Sequence, residues 1–144
     1  MRVFITGGAG FIGSNFIRLL LRERPDFELC CFDALTYAAK RATLLDIENH
    51  PRFQFVQGDI ANPEQVLGAF KSFPPEALIN FAAETHVDRS IHGGAADFIR
   101  TNVSGVETLL SAARVLKIPR LVQVSTDEVY GALPEVGGEP FSET

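Results

Sequence analysis

Seven residues, Gly7-Gly8-Ala9-Gly10-Phe11-Ile12-Gly13, stand between an apolar run and a segment of helical period. Gly7, Gly10 and Gly13 are spaced G-x-x-G-x-x-G, a variant of the G-x-G-x-x-G pattern. The first glycine permits a tight turn. The second lets another group approach the backbone. The third lets a strand and a helix pack closely. A chain with this turn near its start is committed to a strand, a sharp reversal and a helix.

The rest of the sequence repeats that unit. Apolar, β-branched runs predict strands over Arg2–Thr6, Glu28–Asp33, Phe53–Gln57, Glu76–Ala82 and Pro119–Ser125. Helical periods predict helices over Phe11–Arg24, Ala38–Glu48, Pro63–Phe73 and Ala95–Leu116. Pro25 ends the first of these and Pro63 opens the third, where a missing N–H is harmless. Strands that alternate with helices form a parallel sheet covered on both faces. The expected fold is α/β, a doubly wound parallel sheet of Rossmann type. Residues 132–144 read as loop. The expectation is one dinucleotide-binding domain over 1–144, incomplete, stopping before the rest of the sheet and any substrate domain.

A helix that starts at such a turn offers unpaired N–H groups and a partial positive charge to phosphate. Asp33 lies twenty residues beyond Gly13, at the end of the second strand. A carboxylate there suits the ribose hydroxyls of a dinucleotide. It also repels a 2′-phosphate, and no Arg follows it directly. The cofactor expected is therefore NAD rather than NADP.

Composition narrows the partners. The 144 residues carry a formal net charge of -5. That balance, with Lys and Arg scattered, speaks against a nucleic-acid partner. No stretch resembles a signal peptide or a membrane span, so a cytoplasmic protein with no membrane partner is expected. Cys30 and Cys31 are adjacent and should face opposite sides of a strand as buried thiols. His50 belongs to a polar loop, and His86 and His92 flank Asp88-Arg89, which read as a structural ion pair. No ligand set of metal-binding spacing accompanies these histidines, and no metal is expected.

Three further segments carry a family likeness: Asp33–Ala38 (DALTYA), Ala82–Ile91 (AAETHVDRSI) and Ser125–Gly131 (STDEVYG). With the glycine turn, they resemble the extended short-chain dehydrogenase/reductase family, within it the nucleotide-sugar 4,6-dehydratases that act on dTDP-glucose. The resemblance covers nearly all of the chain. It implies that Gly7, Gly10, Phe11, Ile12 and Gly13 surround the pyrophosphate of NAD. Asp33, Ala34, Leu35 and Thr36 would hold the adenosine ribose, and Asp59 and Ile60 would border the adenine. Phe81, Ala82, Ala83, Glu84 and Thr85 would line the nicotinamide side, with Thr85 also near the sugar. Thr101 matches a cofactor-side threonine of the long helix. Two departures stand out: Thr85 replaces a common serine, and Ala39-Lys40 replaces a common Gly-Asn.

The resemblance also implies the chemistry. Glu128 would be the base for the carbon 5 proton, Asp127 the acid for the leaving hydroxyl, and Thr126 a hydrogen-bond donor to the oxygen at carbon 4. Thr126 would therefore touch substrate as well. Related epimerases and decarboxylases usually lack the Asp-Glu pair, so Asp127 is the discriminating residue. The alternatives are a UDP-sugar dehydratase, epimerase or decarboxylase, or a non-catalytic NAD-binding module. Relatives oxidise carbon 4 with Tyr-x-x-x-Lys, whereas Tyr37 is followed by Arg41 and Tyr130 by Pro134. These 144 residues alone are therefore expected to be inactive, and the full-length enzyme is expected to be a homodimer.

Overall fold

Strand β1 (Arg2–Thr6) is apolar on both sides, and that makes it the centre of the sheet. β2 (Glu28–Asp33), β3 (Phe53–Gln57), β4 (Ala77–Asn80) and β5 (Leu121–Gln123) pair parallel around it in the order β3-β2-β1-β4-β5. Thr6 is in register with Phe32 on one side and with Asn80 on the other. The carboxyl ends of the three central strands therefore finish side by side. The structure, a computed structural model, describes residues 1–86, 95–132 and 137–143.

Helices cover both faces. α1 (Phe11–Glu23) buries Ile17 and Leu21 against Val3, Ile5, Leu29 and Cys31. On the opposite face, α2 (Pro63–Ser72) and α3 (Ala96–Val115) pack Val66, Phe70, Leu109 and Ala112 on Phe4, Cys30, Phe32 and Leu78. α3 is one run of three segments: α-helical Ala96–Phe98, π-helical Ile99–Gly105 and α-helical Val106–Val115. The expected doubly wound architecture is the observed one. Cys30 and Cys31 fall into opposite cores, both free, and burial alone pushes the Cys30 thiol up to about 12.

Local signals set most boundaries. Asn62 caps α2, its side chain accepting from the Glu64 and Gln65 amides, and Pro63 fills the first helical position. Arg52 donates to the carbonyls of Leu21, Arg24 and Phe27 at 2.6, 2.8 and 3.0 Å, satisfying acceptors around the end of α1.

Four expected elements differ. The helix over 38–48 is a single 3₁₀ turn, Arg41–Leu44, followed by turns. Its one buried anchor is Leu44, and Arg18 reaches across to the Thr43 carbonyl and to Asp46. β4 ends at Asn80, short of Ala82, because the Asn80 side chain takes the Ala82 amide at 3.1 Å. β5 is confined to Leu121–Gln123, the edge of the described sheet. The long helix has the expected extent but not a uniform α geometry. Among the described residues no helix is long and apolar enough to cross a membrane.

Phe4 is fully buried and meets the Phe70 ring edge-on at 4.8 Å. Phe4→Ala should cost about 3–5 kcal/mol, a large share of the roughly 5–15 kcal/mol available to a domain. Urea unfolding followed by circular dichroism measures it. A loss under about 1 kcal/mol would refute this account of the core.

Candidate functional site

The site forms where β1 ends. Gly7 has φ +66°, a left-handed conformation that a side chain disfavours. A Cβ there would lie 2.5 Å from the Ala82 nitrogen, so the turn also touches the segment leaving β4. A Cβ on Gly13 would lie 2.4 Å from the Gly7 carbonyl oxygen, so the first turn of α1 closes onto the glycine loop. Gly10 caps α1 with no side-chain hydrogen bond. Phe11 and Ile12 then stand 84% and 64% exposed. This is a helix start whose amides face outward, a place for an anionic group.

Asp33 closes the neighbouring corner. It is 6% exposed, and its carboxylate accepts from the Ala9 amide at 2.9 Å and the Leu35 amide at 2.8 Å. Leu35 turns the chain with φ +55°. A carboxylate offers about four lone-pair sites. Two amides leave capacity for the hydroxyls of a diol. Burial pushes this carboxyl up from its ordinary value near 3.8, and the two amides hold it down only in part.

One cleft runs across these groups. Gly7, Gly10, Asp33, Ala34 and Thr36 line it, with Asp59, Ile60, Phe81, Ala82, Ala83, Glu84 and Thr101. A second cleft lies beside it and shares Ala82, Ala83 and Glu84 as a common wall. Thr85, Thr126 and Glu128 line the second cleft. Asp127 opens an exposed 3₁₀ turn, Asp127–Tyr130, after β5, outside the lining itself. Phe11, Ile12, Gly13 and Leu35 also stand outside the first lining. Gly13 is spent on the glycine loop, and Leu35 packs toward the core.

The shared wall is held at both ends. Asn80, 1% exposed, donates to Gln123 Oε1 at 2.7 Å, accepts from the Thr6 hydroxyl and holds the Ala82 amide. It thereby ties the ends of β1, β4 and β5 together. At the other end Asn102 forms a reciprocal pair with the Glu84 backbone, accepting from its amide at 2.9 Å and donating to its carbonyl at 2.8 Å. The π-helical segment sends Arg100 and Thr101 to the first cleft and Asn102 to the second. Such segments often mark functional sites. Arg100 pairs with Asp59 at 2.5 Å.

Sequence reasoning missed several of these residues. Phe32, Ala38, Ala39, Gly58 and Arg100 also line the first cleft, and Phe98, Asn102 and Gln123 the second. The polar Asn80 and Gln123 inside strand patterns were the available signal. His50 is half-buried, and its Nδ1 accepts from the Arg52 amide at 3.2 Å. His92, the pair Asp88-Arg89 and the last part of the AAETHVDRSI segment lie outside the described residues. Among the described residues no three His, Cys, Asp or Glu side chains are grouped to share a metal ion.

The profile of the GDP-mannose 4,6 dehydratase family matches residues 4–144. The chain belongs to that family. It is 51% identical over 133 residues to the low-salt glycan biosynthesis protein Agl12 of Haloferax volcanii, covering 92% of this chain and 42% of that one. A dTDP-glucose 4,6-dehydratase of Streptomyces niveus is 45% identical over 139 residues, covering 94% of this chain and 40% of that protein. Among solved structures, the dTDP-glucose 4,6-dehydratase of Bacillus anthracis in complex with NAD superposes with TM-score 0.83 at 38% identity. That match covers 99% of this chain and 45% of the crystallised one. The chain thus spans less than half the length of these family members.

The raised Asp33 carboxyl has a signed consequence. A carboxyl whose folded pKa is raised binds its proton more tightly folded than unfolded. Its contribution to stability therefore falls as pH climbs from 3.8 through the raised value. The stability of the wild type minus that of Asp33→Asn should decline over that window and then level off. Urea unfolding from about pH 3 to pH 7 tests this, and a difference that grows with pH contradicts it.

Proposed function

We propose that these residues are the NAD-binding portion of a dTDP-glucose 4,6-dehydratase. The observation that carries the reading is the wall Ala82–Glu84, shared by the two clefts. One cleft has the features of a dinucleotide site. The other holds Thr126 and Glu128 at the carboxyl end of β5, where ligands bind in open parallel sheets.

The first cleft fits NAD on its own geometry. Among the described residues, apart from Gly10's chain neighbours, only the Gly7 oxygen lies within 4 Å of a Cβ built on Gly10, at 3.3 Å, so a pyrophosphate can approach the start of α1. Phe11, Ile12 and Gly13 offer amides there. Asp33 accepts from ribose hydroxyls with its remaining lone pairs. Ala34, Leu35 and Thr36 shape the ribose pocket, and Asp59 and Ile60 border the adenine. Phe81 to Thr85 flank the nicotinamide, with Thr101 behind them.

NAD supplies a hydride acceptor for carbon 4 of the glucose and a donor for carbon 6. Between those events this chain's own residues move protons. Glu128 removes the carbon 5 proton, which the adjacent ketone has acidified, and gives a proton back to carbon 5 when carbon 6 is reduced. Asp127 protonates the hydroxyl leaving carbon 6. Thr126 donates to the oxygen at carbon 4 as negative charge develops there. Two carboxyl groups can hold opposite roles when their surroundings differ. The product is the 4-keto-6-deoxy sugar and water. Ile99, Val103 and Leu110 leave an exposed apolar stripe on α3, which supports a homodimer of the full-length enzyme through that helix. The two free cysteines support a reducing, cytoplasmic setting.

In the full-length enzyme, Asp127→Asn and Glu128→Gln should each lower kcat by roughly 10²- to 10⁴-fold while NAD binding is retained. Product analysis and cofactor titration on the same samples check both halves. Unchanged turnover in both variants would favour a non-catalytic NAD-binding module, and a product that keeps its carbon 6 hydroxyl would favour an epimerase or decarboxylase. The 144 residues alone contain no Tyr-x-x-x-Lys. They should bind NAD without dehydratase turnover, and a 4-keto-6-deoxy product from them would overturn that part of the proposal.

A further inference from the structure

Tyr37 is not among the cofactor contacts implied by the family, yet it crosses the first cleft. Its hydroxyl donates to Glu84 Oε2 at 2.9 Å. Tyr37 lies on the loop leaving β2, and Glu84 on the loop leaving β4. In the sheet those strands flank β1. A bond between the two loops therefore passes over the end of β1, above the glycine turn and the start of α1. The neighbours Thr36 and Ala38 line one side of the cleft and Ala83 and Glu84 the other, whereas Tyr37 itself is outside the lining and 44% exposed. It bridges the mouth without forming the floor.

Both ends of the bridge are braced. A turn in which the Ala39 amide donates to the Thr36 carbonyl at 3.1 Å presents Tyr37, and that loop begins at the Asp33–Leu35 bond. The Tyr37 ring also rests 5.6 Å from the His86 ring. The backbone of Glu84 is gripped by Asn102. Between these braced ends runs the hydroxyl-to-carboxylate bond.

We propose that the Tyr37–Glu84 bond is a strap across the mouth of the cofactor cleft, which must break for NAD to pass in or out. The inference rests on the NAD-dependent dehydratase reading. In that reaction the hydride is borrowed and returned within one turnover, so the cofactor ends each cycle in the state in which it began. Slow cofactor exchange then carries no penalty in turnover. It also keeps the cofactor in place while sugar nucleotides come and go.

The test is the kinetics of NADH binding and release, followed by nicotinamide fluorescence in a stopped-flow instrument, for wild type and Tyr37→Phe. The variant keeps the ring against His86 and removes the hydroxyl that donates to Glu84. A hydrogen bond to a charged acceptor at a half-open site is worth enough to slow opening about five- to tenfold. Because the strap closes over the cleft in the absence of cofactor as well, its loss should raise the association and dissociation rates together by that factor. The Kd should change by less than about twofold. Thermal melting confirms that the variant is folded. Equal rates in the two proteins overturn the strap and leave the NAD reading intact. A faster release with unchanged association means direct contact with the cofactor and also overturns it. Absence of NADH binding by the wild type overturns both readings.

Discussion

The close approach of β1 and β4 at their carboxyl ends is the constraint on which the rest of the site depends. Gly7 brings the turn so near the segment leaving β4 that no Cβ fits between them. That contact lets the first turn of α1 stand directly over the strand ends, and it makes Ala82–Glu84 a wall common to both clefts. If β4 were moved outward to admit a side chain, the parallel register of Thr6 with Asn80 would be the first thing lost. Asn80 answers this pressure from within. Its amide joins three neighbouring strands with every polar atom partnered, and a fully satisfied buried network specifies one arrangement over others.

A sheet buried on both faces explains why such exact placement is possible. Val3 and Ile5 point to one core while Phe4 points to the other, and Cys30 and Cys31 divide in the same way. A slip of one residue in any central strand would exchange the two cores. Register is therefore fixed along the whole length of β1, and the strand ends, where the chemistry is proposed to occur, inherit that rigidity. Catalytic groups on short loops gain precision from a scaffold of this kind.

The parts of the fold legible in the sequence were those written in neighbouring residues. β1, β2 and β3 follow apolar runs residue for residue, and Pro63 behind Asn62 marks the start of α2. The glycine turn and Asp33 were legible for the same reason, since their spacing follows from one βαβ unit. What escaped was set by partners distant in sequence. The 38–48 segment has enough apolar residues for a helix, but Arg18 and the lone anchor Leu44 hold it as turns. The early end of β4 depends on a side chain folding back on its own strand exit. Asn102 and Arg100 look like ordinary helix surface until Glu84 and Asp59 are brought beside them.

The π-helical run Ile99–Gly105 has one more consequence. Each residue of an α-helix advances about 100° around its axis. A stretch wound more loosely works as a phase shift, so the faces on either side of it are not those an uninterrupted helix would present. Deleting a single residue from this run would rewind it toward ordinary pitch and swing Arg100 and Thr101 out of step with Leu109 and Ala112, which anchor the helix in the core. Substitutions in this helix can be absorbed one at a time. A change in its length would misalign both clefts at once.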